Sequence, residues 1–264
     1  MTTQGAPPAS PCPPQPVACV TLGRQVWWLV SAAADDPDLA AGVAPDGLLA
    51  ADEAARLAAL KIAKRRRDWL LGRATAKALL QAWLAQEIVA PSAANLIIQS
   101  ETTGVPTPWL DDGRGRAPLP VSLSISHCDG HALCALIDRR GAGTTVTLGA
   151  DMEKVEPRAW SFVADYFTPG EVAQVQQATD ADRDAVVTAV WSAKEAVLKA
   201  VQLGLSVDTR AVDINLGGRP PSHDWQPLSV GWDARLAQPP DAALTGLWRQ
   251  RGPYILTLAR LDRP

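Results

Sequence analysis

The stretch Thr144-Thr-Val-Thr-Leu-Gly-Ala-Asp-Met-Glu153 decides how the chain is divided. Its β-branched and apolar residues predict a strand that opens the second half of the protein, with Asp151 and Glu153 at its end. Side chains two residues apart on a strand point to the same side, so both carboxylates can approach one hard cation. Acidic residues also occur at this spacing by chance, so the motif needs support from elsewhere in the chain.

Helices and strands alternate through the rest of the second half. Thr168-Pro-Gly-Glu171 has the residues of a helix start, and a longer helix is predicted over residues 182–202, ended by Gly204. Short strands are predicted after it, at residues 212–215, 228–232, 244–248 and 254–261.

The first half shows the same mixture. We predict strands at residues 25–30, 121–126 and 131–137, helices at 52–60 and 67–88, and a loop at 104–120, which holds four prolines and two glycine-rich turns. The chain is therefore expected to be an α+β protein with two lobes of similar size, residues 17–143 and 144–264. A disordered Pro-rich tail is expected at residues 1–16. The two halves show no evident sequence repeat.

Composition narrows the class of protein. With 264 residues, 47% of them hydrophobic, and a formal charge of −3, the chain can bury a sizeable core and is not collagen-like, coiled-coil or wholly disordered. No window reaches the ~18 apolar residues of a membrane span, and the proline-rich start lacks the apolar region of a secretory signal. Four cysteines without zinc-site spacing suit a reducing compartment. We expect a cytoplasmic protein that does not enter a membrane.

The predicted helix around Val190-Trp-Ser-Ala-Lys-Glu-Ala-Val-Leu-Lys-Ala200 places Glu195 one turn before Lys199. The simpler explanation is a structural ion pair, which stabilises an exposed helix by only about 0.2–0.5 kcal/mol. Alternatively, Glu195 is a third metal ligand or a general base, and Lys199 neutralises charge on a phosphoryl group. Ser126 and His127 end an alternating strand, where a hydroxyl and an imidazole can both reach a phosphate oxygen, although a lone histidine is more often structural.

Basic residues are concentrated between Lys61 and Lys77, where seven positive side chains stand against one negative, Asp68. A focused positive field in an acidic chain favours a polyanionic ligand or an acidic partner. Solvated helix surface is the simpler explanation, and nucleic acid is a rival ligand. Proteins that bind nucleic acid usually carry a broader basic face, so we expect no nucleic-acid partner.

Four patterns, in this order, resemble the larger, two-lobed 4′-phosphopantetheinyl transferases, the type that activates surfactin synthetase. They are Leu49-x-x-Asp-Glu53 with Arg66-Arg-Asp-Trp-Leu-Leu-Gly-Arg73, Leu123-Ser-Ile-Ser-His127, Gly149-Ala-Asp-Met-Glu153, and Tyr166-Phe-Thr-x-x-Glu171 with Trp191-Ser-Ala-Lys-Glu-Ala-Val-Leu-Lys199. The resemblance covers about residues 20–200, and it is specific because four weak patterns seldom occur together in one order.

The resemblance implies a monomeric pseudo-dimer of two α+β lobes with coenzyme A in the cleft between them. It also implies a reaction, the transfer of the phosphopantetheine arm to a serine of an apo acyl or peptidyl carrier protein, with release of adenosine 3′,5′-bisphosphate. The implied roles are these: Mg²⁺ held by Asp151, Glu153 and Glu195; proton transfer by Glu195; charge stabilisation by Lys199; coenzyme A contacts from Lys194 and Lys199; and 3′-phosphate contacts from Ser126, His127 and either Arg67 or Arg73.

One position departs from the family pattern. Members often have Gly-Lys-Pro before the Ser-His strand, and here the stretch is Gly104-Val-Pro106. Val105 cannot supply the lysine charge, so another basic residue compensates or affinity for the nucleotide is reduced. A non-catalytic module that binds carrier proteins is therefore the alternative to the transferase.

Overall fold

The computed structural model describes residues 17–100, 104–141, 145–203 and 207–263. The expected tail at 1–16, the helix stop at Gly204 and the first residue of the predicted strand, Thr144, lie outside these ranges. Residues 17–141 are called the first lobe and residues 145–263 the second lobe. The first lobe contains β1 (Ala18–Leu22), β2 (Arg24–Ala32), α1 (Pro37–Ala41), α2 (Ala51–Ala59), α3 (Ala63–Leu84), β3 (Leu96–Ser100), β4 (Pro106–Asp111), β5 (Arg116–Pro118), β6 (Val121–Cys128) and β7 (His131–Asp138). The second lobe contains β8 (Thr145–Lys154), α4 (Trp160–Tyr166), α5 (Pro169–Gln177), α6 (Arg183–Val201), β9 (Val212–Asn215), β10 (Gln226–Trp232), β11 (Ala243–Arg251) and β12 (Tyr254–Arg263).

The α+β fold class is confirmed. The strands form a four-stranded sheet in the order β1-β2-β7-β6, a three-stranded sheet β3-β4-β5, and a five-stranded sheet β8-β12-β11-β10-β9. Every strand pair in these sheets is antiparallel. None of the helices in the described ranges has both the length and the hydrophobicity that crossing a bilayer requires.

The two lobes repeat one order of elements, although their sequences do not. In each lobe one strand leads into three helices, and the last strand of the lobe pairs back with it: β7 with β2, and β12 with β8. Each also contains a buried glutamate–lysine pair between its second and third helices, Glu53 with Lys77 and Glu171 with Lys194. Each glutamate accepts from the amide at its own helix start and from a strand amide.

The loop predicted at residues 104–120 is wrong, because this segment contains β4 and β5. Prolines predicted a loop since they cannot donate to a strand ladder. Pro106 and Pro108 are nevertheless accommodated, because β5 pairs only with residues 109–111 of β4, and beyond β5 the carbonyl of Pro108 accepts a hydrogen bond from the amide of Leu119 at 2.9 Å. The helix predicted over 67–88 begins earlier, at Ala63, and ends earlier, at Leu84. The strands β1 and β3 and the short helices α1 and α4 were not predicted.

The lobes meet through two sheet faces and a row of serines. Even-numbered residues of β8, such as Leu148 and Met152, belong to the same apolar cluster as Val26 and Leu133 of the first lobe. Beside this cluster, hydroxyls of β6 accept hydrogen bonds from backbone amides of β8: Ser122 from Leu148, Ser124 from Ala150 and Ser126 from Met152, at 3.0, 2.8 and 3.3 Å. Side chains thus join two strand edges that do not pair through their backbones.

The odd-numbered residues of β8 face α6, and the two elements lie close together at Gly149. A Cβ atom built on Gly149 would stand 1.9 Å from the carbonyl oxygen of Ala196, far inside contact distance. The absence of a side chain at this position therefore allows the helix to approach the strand. Asp151 and Glu153 follow directly on the same face of β8, beside Glu195 on α6.

Candidate active site

Asp151 is held by groups from both lobes. Its buried carboxylate lies on β8, and Oδ1 accepts hydrogen bonds from Ser126 Oγ at 2.8 Å and from Lys199 Nζ at 2.7 Å. Oδ2 accepts from Ser192 Oγ at 2.8 Å. Because β6 supplies Ser126 while α6 supplies Ser192 and Lys199, the junction of the lobes is organised around this one side chain.

Glu153 and Glu195 are the second and third carboxyl groups of the site. Burial raises the pKa of Glu195, the charge of Asp151 raises it further, and Lys199 opposes the rise. Burial is also the main cause that raises the pKa of Glu153, and Asp151 and Glu195 add to it. The guanidinium of Arg158 opposes that rise, and its Nη2 lies 3.1 Å from Glu153 Oε2. Raised pKa values of neighbouring carboxyl groups are typical of functional sites.

The donor chemistry of these carboxylates fits a hard divalent cation. Mg²⁺ prefers carboxylate oxygens, and a cation would offset both the burial and the neighbouring carboxylate charge that raise the pKa values of Glu153 and Glu195. In the described ranges, however, no three His, Cys, Asp or Glu side chains already have the spacing of a metal site. Lys199 and Arg158 balance the carboxylates instead, so the three acidic groups share one region without forming a finished ligand set.

A cavity of about 150 Å³ opens between the lobes beside Lys199. Its lining comes from both lobes and includes Ser122 and Ser124 of β6, Gln202 after α6, and residues 104–106. Val105 therefore borders the same cavity as Lys199. The departure from the family pattern therefore lies at this cavity.

The expected pair Ser126-His127 is divided between two faces of β6, because adjacent strand residues point to opposite sides. Ser126 is buried, donates to Asp151 and accepts from the amide of Met152. This corrects the expectation that Ser126 contacts a nucleotide phosphate, since its hydroxyl is used inside the protein. His127 is exposed at the end of the strand and stays a candidate.

The basic residues between positions 61 and 77 do not form one solvated patch. Lys77 is fully buried, pairs with Glu53 and donates to the carbonyl of Leu48 at 2.7 Å. Lys64 pairs with Asp68 one helical turn away, at 2.7 Å. The positive field predicted from the sequence is therefore weaker than the count of basic residues suggested.

Arg67 and Arg73, the two candidate contacts for the 3′-phosphate, differ in exposure. Arg73 is buried, with its guanidinium 4.8 Å from the ring centre of Trp69 and its Nη2 donating to Ser100 Oγ at 3.2 Å. Burial lowers the pKa of Arg73, while the charge of Glu53 opposes that change. Arg67 is exposed near the start of α3, so it is the better placed of the two for an external ligand.

Lys194 does not face the site, which corrects the expectation that it binds coenzyme A. Its side chain is fully buried, and Nζ lies 2.8 Å from Glu171 Oε2. It also donates to the carbonyls of Thr209 and Val212 at 2.9 and 2.5 Å. All three of its protons are used within the second lobe, so Lys194 is a structural residue.

Sequence reasoning missed three side chains of the site: Ser192 and Arg158, which touch carboxylates, and Thr257, which touches Ser192. Ser192 could have been found, because Ser192, Glu195 and Lys199 lie at i, i+3 and i+7 and so share one helix face. Thr257 is opposite Asp151 in the ladder between β12 and β8, a partner that depends on strand pairing. No local sequence signal pointed to Arg158.

One comparison with known proteins covers the segment that contains this site. The family model described as ACPS, the 4′-phosphopantetheinyl transferase superfamily, matches residues 147–248. The matched segment includes the three carboxylates and Lys199, so this part of the chain is similar to the phosphopantetheinyl transferases of that superfamily. No curated protein sequence matches the chain.

Solved structures similar to this chain include a holo-(acyl-carrier-protein) synthase from Bacillus anthracis str. Ames in complex with CoA (3′,5′-ADP). That protein is 15% identical, with a TM-score of 0.38, and the match covers 46% of this chain and 100% of the other. A Chronobacterium ammoniagenes ACPS–CoA complex is 19% identical, with a TM-score of 0.36, and the match covers 46% of this chain and 98% of the other.

Proposed function

We propose that this protein transfers the 4′-phosphopantetheine arm of coenzyme A to a serine hydroxyl of an apo acyl or peptidyl carrier protein, with Mg²⁺, and releases adenosine 3′,5′-bisphosphate. One observation carries the proposal. Asp151, Glu153 and Glu195 share one electrostatic region with Lys199, beside a cavity between the lobes and inside the segment that matches the family.

The proposed enzyme is of the larger, two-lobed type, with residues 17–143 and 144–264 as its lobes and coenzyme A between them. The cavity supports the position of this cleft, because residues of both lobes line it, and coenzyme A would extend beyond its volume of about 150 Å³. One chain then supplies both walls of the cleft, so the enzyme is proposed to act as a monomer. We place it in the cytoplasm, where thiols such as that of the buried Cys134 stay reduced.

The proposed chemistry is a displacement at the β-phosphorus of coenzyme A. The serine oxygen forms a bond to phosphorus, the bond from phosphorus to the bridging oxygen breaks, and the serine proton passes to Glu195. Mg²⁺ held by Asp151, Glu153 and Glu195 would neutralise charge on the pyrophosphate oxygens. Glu195 would act as the general base either directly or through a water molecule.

The remaining residues hold the charges of coenzyme A. Lys199 lies at the cavity with part of its side chain exposed, and its ammonium stabilises charge on the departing phosphate. His127 and Arg67, both exposed on the first lobe, contact the 3′-phosphate through charge-assisted hydrogen bonds. Lys194 and Ser126 take no part in binding coenzyme A, because their polar atoms are bonded within the protein.

The direct test is mass spectrometry of apo carrier proteins after incubation with coenzyme A and Mg²⁺. We expect the carrier to gain the mass of one phosphopantetheine group with the native protein and none with Glu195→Gln, which keeps the shape of the side chain and removes its charge. Glu156→Gln is the matched control, since Glu156 is exposed just after β8 and stands outside the proposed machinery. Equal transfer by native protein and Glu195→Gln would refute the role of Glu195.

Val105 is the observation that favours the alternative, a module that binds carrier proteins without catalysis. An apolar residue at the cavity supplies no charge for coenzyme A. Isothermal titration of coenzyme A with and without Mg²⁺ separates the two functions: the enzyme binds it in a magnesium-dependent manner, while the module binds a carrier protein alone.

A further inference from the structure

The hydroxyl group of Ser192 contacts Asp151 Oδ2, the carboxylate oxygen that Lys199 does not contact, and the hydroxyl group of Thr257 contacts Ser192. Both side chains are fully buried. Ser192 Oγ is 2.8 Å from Asp151 Oδ2 and 2.8 Å from Thr257 Oγ1, and Thr257 Oγ1 is 3.0 Å from the carbonyl oxygen of Ser192. The three side chains come from α6, β12 and β8, so the contacts join the elements that build the site.

The directions of these hydrogen bonds follow from counting protons. An ionised carboxylate only accepts, so the single hydroxyl proton of Ser192 points to Asp151. Ser192 Oγ is then left as an acceptor, and the single proton of Thr257 goes to Ser192, either to its hydroxyl or to its carbonyl oxygen. Thr257 therefore donates to Ser192, and Ser192 donates to Asp151. These two hydrogen bonds fix the rotamer of Ser192 and the position of one carboxylate oxygen of Asp151.

We propose that Ser192 and Thr257 are positioning residues that orient Asp151 for the divalent cation, with Thr257 acting through Ser192. The proposal rests on the proposed function, in which Asp151 is a metal ligand. Ser192 fixes Oδ2, while Oδ1 is shared by Ser126 and by Lys199, a partly exposed side chain that can move. Partners of this kind behind a metal ligand typically account for about 10–100-fold in metal affinity.

The test is a titration of the full chain with Mn²⁺, followed by electron paramagnetic resonance of the free ion, so that binding is measured without activity. We expect Ser192→Ala to weaken Mn²⁺ binding by about 10–100-fold. Ser192→Thr, which keeps the hydroxyl, should recover most of that loss. Thr257→Val should weaken binding by itself but add nothing to Ser192→Ala, since its effect passes through Ser192.

Thr188→Val is the matched control. Thr188 lies one turn before Ser192 on α6, is equally buried, and donates its hydroxyl to the backbone carbonyl of Asp184 at 2.7 Å. Removing this hydroxyl should leave Mn²⁺ affinity unchanged. Thermal unfolding of each variant shows whether a lost affinity reflects lost folding. If Ser192→Ala does not fold, the Mn²⁺ affinities of Thr257→Val and Ser192→Thr test the positioning role instead.

The outcomes separate this inference from the proposed function. If the native chain does not bind Mn²⁺, or Asp151→Asn binds it equally well, the metal role of Asp151 fails and the proposed function fails with it. If Asp151→Asn abolishes binding while Ser192→Ala and Thr257→Val bind like the native chain, only the positioning role is overturned. A loss in Ser192→Ala that exceeds any loss in Thr188→Val, with recovery in Ser192→Thr, supports it.

Discussion

Replacing Gly149 by alanine tests how closely α6 must lie against β8. The added Cβ would stand 1.9 Å from Ala196 O, 2.7 Å from Ala200 N and 2.9 Å from Ala196 C. All three are backbone atoms, so no side-chain rotation relieves the clash. Contacts under 3.0 Å are essentially never seen for Cβ atoms, so the helix and strand must separate by about 1 Å.

The separation should reduce both stability and activity. Overpacking of this kind costs about 1–3 kcal/mol, and we expect a loss of that size in the free energy of unfolding. The strand carries Asp151 and Glu153, and the helix carries Glu195 and Lys199, so the shift also pulls the site apart. A misplacement of about 1 Å costs about 100-fold in rate, which sets the expected loss of transfer activity in the folded fraction.

The assay combines urea unfolding with transfer measured well below the unfolding midpoint. Gly170→Ala is the matched control, because the nearest atoms to its new Cβ are 3.6 and 3.9 Å away and the residue lies in the first turn of α5. We expect that control to keep native stability within about 1 kcal/mol and full activity. Native stability and native activity in Gly149→Ala would refute the close-approach argument.

Three further predictions concern residues away from the carboxylates. Lys194→Met leaves Glu171 as a buried, unpaired charge, and should cost about 3–5 kcal/mol in urea unfolding without weakening coenzyme A binding by the folded fraction; weaker binding with native stability would show that Lys194 faces the ligand after all. Val105→Lys places a cation at the cavity and should tighten coenzyme A binding about tenfold, an effect that titration calorimetry would see shrink at high salt. Ser124→Ala removes the acceptor for the buried amide of Ala150 and should cost about 1–3 kcal/mol in thermal unfolding, and an unchanged melting temperature would contradict the role of the serine row in joining the lobes.

Local sequence signals were sufficient to predict elements whose structure depends on neighbouring residues. The start of α5 follows from a complete capping box, in which Thr168 Oγ1 accepts from the amide of Glu171 at 3.2 Å and the Glu171 carboxylate accepts from the amide of Thr168 at 2.8 Å. The alternation of residues 121–126 likewise predicted β6, and the four short strands predicted after residue 211 correspond to β9, β10, β11 and β12. The polar side of β6 was expected to be half-exposed, whereas its serines bind β8, because strand alternation does not reveal what covers the polar face.

Helix geometry explains the correction of Lys194. Lys194 and Lys199 are five residues apart, which turns them about 140° from each other around a helix, so both cannot face one ligand. Glu195 is close to the direction of Lys199, and that face meets Asp151. The motif contains two lysines in one stretch of sequence, but on the helix Lys194 lies in the core of the second lobe and Lys199 lies at the cavity.

The repeat of the two lobes could not be found from the sequence. The lobes share only the order of their elements and one buried glutamate–lysine pair each. Glu53 with Lys77 corresponds to Glu171 with Lys194, yet the residues around each pair differ. Non-local strand pairing, such as that of β8 with β12, connects residues about a hundred positions apart and leaves no local trace.

The most direct test of the central claim is a crystal structure of the chain with coenzyme A and Mn²⁺, with the metal located by its anomalous scattering. The account predicts one strong peak in contact with the carboxylates of Asp151, Glu153 and Glu195, in the cleft that holds the coenzyme. Coenzyme A bound between the lobes with no peak there, or with the metal held away from these three side chains, would contradict it.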